Sequence, residues 1–93
     1  MGLLLWWILG AIILAGGVIV IAVQITRQAI KDLMNSDQDG FNTARFAEVI
    51  ERKLDGEHTV VKVRLTDYSG NKSEREIKST QGATVSIGET IYS

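Results

Sequence analysis

Few residues in this chain have the types and spacing that chemistry requires. The best-spaced set is Asn35, Asp37 and Asp39, followed by Gly40. Oxygen donors at alternate positions before a turn-forming glycine fit the first half of a calcium-binding loop. The twelfth position of such a loop needs a bidentate carboxylate, and Phe46 stands there. A solvated acidic linker is therefore the plainer reading, and no bound metal or cofactor is expected. His58 is the single histidine, beside Glu57, and an exposed structural role is expected for it. With no cysteine there is no disulfide, thiolate nucleophile or Cys-ligated metal. Gly82 and Gly88 are too scattered to make a phosphate loop. No catalytic residue emerges, and the chain is not expected to be an enzyme.

A second set is electrostatic. Lys62, Arg64, Glu74, Glu76 and Lys78 alternate along two polar stretches and predict one charged sheet face, a candidate surface for binding another protein. The net charge of −1 lacks the electrostatic footprint of a nucleic-acid binder. Neither nucleic acid nor a small-molecule substrate is expected as a partner.

The elements that must carry these residues divide unevenly. All ten basic and all eleven acidic residues lie between Arg27 and Glu89. Residues 1–26 carry no charge, and 20 of those 26 are apolar. Leu3 to Val23 is an unbroken run of apolar residues and glycine. As a helix it would span about 31 Å, against about 30 Å for the hydrocarbon core of a bilayer. The expectation is a single transmembrane α-helix, a single-pass anchor over residues 1–26. Trp6 and Trp7 would mark one membrane interface, and Arg27 and Lys31 the other. The basic residues follow the run, so the N-terminus is expected outside and the C-terminal domain in the cytoplasm. Gly10, Ala11, Ala15, Gly17 and Ala22 fall on adjacent stripes of that helix, where small residues allow close helix packing. A cleaved signal peptide fits poorly, because the run is long and lacks a basic leader.

Residues 27–41 read as the helix end leaving the bilayer, followed by the acidic loop. From Gln24 to Met34 the polar residues fall on one side and Ala29, Ile30 and Leu33 on the other. Residues 42–93 read as a small α+β domain, one helix packed on a three-stranded antiparallel meander. The helix is expected over 42–55. Asn42 would cap it, Phe41 and Phe46 would staple it, Phe46, Val49, Ile50 and Leu54 would form its stripe, and Gly56 would end it. Thr59, Val61, Val63 and Leu65 then alternate with polar residues, as a half-buried strand does. A loop over 69–71 pairs Val63 with Ile77, and a loop over 80–82 pairs Ile77 with Val85. The apolar face would hold Val61, Val63, Leu65, Ile77, Val85, Ile87 and Ile91. In this register Lys62 opposes Lys78, a mild strain.

A domain of this size has little core to spare, so association through an open sheet edge would help it. The reading is a membrane-anchored accessory or scaffold subunit. It would assemble with itself, as a homo-oligomer, or with a larger membrane complex, its partners being the lipid bilayer and other protein chains. One alternative is a self-assembling pore- or lesion-forming small membrane protein of phage or toxin type, supported by the Gly and Ala stripes. Another is a filament subunit that resembles pilins in having an apolar N-terminal helix before an α/β head. Leu3, Leu4 and Leu5 stand where that family carries a glutamate.

Overall fold

The computed structural model describes residues 12–14, 18–35 and 44–93. Among these residues, six strands and one helix follow in chain order. They are β1 (Ile12–Leu14), β2 (Val18–Val20), α1 (Arg27–Met34), β3 (Ala44–Asp55), β4 (His58–Asp67), β5 (Lys72–Ser79) and β6 (Thr90–Tyr92). The strands form one mixed sheet in the order β1-β2-β5-β4-β3-β6.

Two glycine turns set its centre. Asp55 pairs with His58 across a two-residue loop of Gly56 and Glu57. Gly56 has φ 63°, and glycine in the first loop position is the pattern of a type II′ hairpin. β3 and β4 therefore zip together from Asp55/His58 to Ala44/Asp67. β4 and β5 are joined by a three-residue loop, Tyr68-Ser69-Gly70. The Gly70 N–H donates to the Asp67 carbonyl at 3.1 Å, and Gly70 takes φ 86°. A left-handed glycine in the third loop position closes such hairpins. The Asp67 carboxylate accepts from the Ser69 and Asn71 N–H groups, each at 2.9 Å, and this holds its pKa below the usual carboxylate range, the Asn71 amide contributing most.

The flanks are built from distant parts of the chain. β2 lies parallel to β5, with Ile19 opposite Ile77. β6 lies antiparallel to β3, with Ala47 opposite Ile91. Between them the chain crosses the sheet's inner face, where Val85 is buried. The crossing is tied by a parallel bridge between Ile25 and Ala83, with Ile25 N–H donating to Gly82 O at 2.8 Å and Thr84 N–H to Ile25 O at 3.0 Å.

The inner face carries the core. Ile19, Ile21, Ala47, Val49, Val61, Val63, Leu65, Ile77 and Ile91 are buried together with Ala29, Ile30, Leu33 and Met34 of α1. The helix begins at Thr26, whose Oγ1 accepts from the Ala29 N–H at 3.0 Å. Ser79, fully buried, donates to the Val23 carbonyl at 2.6 Å and accepts from the Gln81 N–H at 3.0 Å. That hydroxyl holds the end of β5 to the approach to α1.

The expected architecture is thus corrected in three places. Leu3–Val23 is not one transmembrane helix, because Ile12–Leu14 and Val18–Val20 pair as strands, Ile13 opposite Ile19. Among the described residues no helix is long and apolar enough to cross a membrane. The single-pass localisation, with its outside N-terminus and cytoplasmic domain, therefore loses its basis. The physical reason is that a short apolar run cannot be told from a helix by periodicity alone, and in β2 the alternation is hidden because the half-buried Val18 and Val20 are as apolar as the buried Ile19. Next, the helix expected over 42–55 is β3 from Ala44 onward. β3 carries extra residues at Arg45 and Ile50, where its pairing with β4 shifts by one. Those bulges break the two-residue alternation and leave apolar residues at helix-like intervals. Finally, the three-stranded meander does not close as expected. β5 meets β4 with Val61, not Val63, opposite Ile77, a slip of two residues that keeps every side chain on its expected face. The expected third strand, with Val85 opposite Ile77, does not form: Ile77 pairs with Ile19 of β2 on that side, only Thr90–Tyr92 is strand, at the far edge, and Ile87 is exposed. Lys62 now opposes Glu76, so the expected strain is absent.

Candidate functional site

The charged face exists, and four of its five charges are engaged in ion pairs. Lys62, Arg64, Glu74, Glu76 and Lys78 all lie on the outer side of β4 and β5, opposite the core. Arg64 sits 3.8 Å from both Glu48 and Glu74, Lys62 4.0 Å from Glu74, and Lys78 3.3 Å from Asp55. A shallow depression of about 210 Å³ is lined by Lys62, Glu74, Arg75 and Glu76. Such compensated, exposed pairs are the ordinary solvated surface of a sheet and contribute little energy.

The edge of β6 is different. Ile91 is paired with Ala47, the Ser93 N–H donates to Arg45 O at 3.2 Å, and the Val49 N–H donates to Glu89 O at 2.9 Å. In an antiparallel ladder, alternate residues direct their N–H and C=O groups at the partner strand. Residues 89, 91 and 93 thus face β3, and Thr90 and Tyr92 direct theirs outward. Among the described residues no strand lies beyond β6.

A groove of about 290 Å³ runs beside this edge, lined by Arg27, Gln28, Lys31, Thr90, Ile91 and Tyr92. α1 supplies one wall because Ala29, Ile30, Leu33 and Met34 anchor its opposite side in the core. Arg27 Nε lies 3.5 Å from Glu89 Oε2, a buried oxygen with no hydrogen bond among the described residues. Gln28 donates to Asp32 at 2.7 Å. Lys31 is exposed and has no ion-pair partner among the described residues. On the outer face Tyr92 stacks against Phe46, with ring centroids 5.6 Å apart.

The residues singled out from the sequence scatter. Arg27 and Lys31, expected at a membrane interface, form the wall of this groove. Asn35 closes α1 as its C-cap, its N–H donating to Lys31 O at 3.0 Å, while Asp37 and Asp39 lie outside the described residues. Among the described residues no group of three or more His, Asp or Glu side chains could hold a metal ion. Ala22 is exposed between β2 and α1. Trp6, Trp7, Gly10, Ala11, Ala15 and Gly17 lie outside the described residues, as do Phe41 and Asn42. His58 is half-buried at the start of β4, opposite Asp55. Thr90 and Tyr92 were not singled out by sequence, although Thr-Ile-Tyr is a β-forming, uncharged triplet. No protein-family model, curated protein or solved structure matches this chain.

Proposed function

We propose that this chain is a non-enzymatic binding module that assembles with another protein by accepting an added strand at the edge of β6. The observation that carries this reading is the outward direction of the Thr90 and Tyr92 backbone groups beside an open groove. Main-chain pairing would supply the affinity, and the groove the specificity. This keeps the accessory or scaffold role expected from sequence and removes the bilayer from it. The pore-forming and filament readings both rested on a long apolar helix, and they lose that support with it.

The test is a substitution that blocks the edge from outside. Thr90→Pro removes an N–H that the fold itself does not pair, a change tolerated at sheet edges. It should leave the far-UV circular dichroism unchanged and abolish binding of extended peptides followed by NMR chemical shifts. In the unsubstituted chain the shifts should map to residues 27–31 and 89–93. Shifts that map elsewhere, or that survive Thr90→Pro, would refute the site.

A further inference from the structure

We infer that the strand accepted by β6 is an extended protein segment with carboxylates at alternate positions. This rests on the strand-addition reading above. A strand that continues the sheet beyond β6 directs every second side chain to the face covered by α1 and the rest to the outer face. On the α1 side those side chains meet the groove wall of Arg27, Gln28 and Lys31. The ionisable groups there are unequal in what they still offer. Glu89 is paired with Arg27, and Asp32, which accepts from Gln28 and keeps its charge, lies outside the groove lining. Lys31 is the exposed cation with no ion-pair partner among the described residues. Among the described residues the groove lining holds two cations and no carboxylate, so an incoming side chain meets positive charge first. On the outer face the alternate side chains meet Tyr92, which is largely exposed and stacked on Phe46, and apolar or aromatic residues suit it. The fitting segment alternates acidic with apolar.

The same geometry argues against a second copy of this chain. Two β6 strands pairing about a twofold axis normal to the sheet would leave both α1 helices on the same face. Lys31 and Arg27 of one copy would then approach those of the other, and like charges across an interface are penalised.

Three labelled six-residue peptides separate the outcomes on the full chain, with Glu, Gln or Lys at alternate positions and Val between. The Glu–Val peptide should bind about tenfold more tightly than the Gln–Val peptide, with the Lys–Val peptide weakest. Raising the salt to about 0.5 M should erase most of that preference. Lys31→Glu, on the wet side of α1, should invert the order without altering the circular dichroism. Equal binding of the Glu–Val and Gln–Val peptides overturns the acidic specificity and leaves strand addition standing. Binding of none overturns strand addition, and this inference with it. Dimerisation of the free chain that Thr90→Pro abolishes would make the occupant a second copy and overturn the choice made here.

Discussion

Two stretches of open edge on this one sheet are made of opposite material. β2 covers β5 only from Glu76 to Lys78, so the Lys72–Arg75 half of β5 has no neighbour on that side among the described residues. That half reads Lys-Ser-Glu-Arg, and charge on an edge is a standard guard against unwanted pairing. The open edge of β6 reads Thr-Ile-Tyr, with no charge in the strand and strong β propensity throughout. Its charges stand to one side, on α1. The difference teaches that an edge is receptive or guarded according to what its own residues carry, whatever their shared ladder geometry.

The most drastic way to break the comparison is to remove the frame common to both edges. Ile77 is fully buried between β2 and β4. Ile77→Ala should cost about 2–5 kcal/mol and lower the denaturation midpoint of the whole sheet. Loss of β6 pairing with the rest intact would show that the edges do not share one cooperative unit. Next in size is the turn that feeds the guarded edge. Gly70 sits at φ 86° with open space around it, so Gly70→Ala meets no clash and pays only for the left-handed backbone. That cost should be about 1–2 kcal/mol by chemical denaturation, and a neutral outcome would mean the loop is not closed in this way. A third change turns the guarded edge into the other kind. Lys72→Thr with Arg75→Val should leave stability within about 0.5 kcal/mol. It should make the chain associate with rising concentration in light scattering, and a strict monomer would refute the guarding role. The smallest effect is acid-dependent. Asp67 has a lowered pKa in the fold, so its contribution is complete above the usual carboxylate range and is lost as pH falls through that range to the lowered value. Asp67→Asn should flatten the acid side of the stability curve, and parallel curves for the two chains would refute the turn's role.

Where contacts are local, the sequence carried much of this arrangement. The alternation from Thr59 to Leu65 marks the inner face of β4, and the Ala29, Ile30 and Leu33 stripe marks the buried side of α1. The β4–β5 register differs by two residues from the expected one because a loop over 69–71 puts Gly70 in its middle, whereas Gly70 closes a loop over 68–70. The rule that put Gly82 at a left-handed third position would have set it correctly. β3 was unreadable for a different reason. Its bulges at Arg45 and Ile50 erase the alternation, and Phe46, Val49, Ile50 and Leu54 then imitate a helix, although Leu54 is 80% exposed. The Asp-Gly pair at 55–56 was the available sign of a hairpin. In the apolar run, Ala15-Gly16-Gly17 stands between the β1 and β2 residues in sequence, and Gly-Gly between two apolar runs is a hairpin signal, which competes with the helix-packing reading of Ala15 and Gly17. The β6 edge was out of reach, because its partner β3 was read as a helix and its pairing joins residues more than forty apart in sequence.

The central claim is that β6 is a half-paired strand, bonded on one side and open on the other. Amide hydrogen exchange resolved by residue tests it most directly. In the free chain the Ile91 amide should be protected while those of Thr90 and Tyr92 exchange rapidly, and the Glu–Val peptide should slow both. Protection of Thr90 and Tyr92 without a peptide, or rapid exchange at all three positions, would contradict the account.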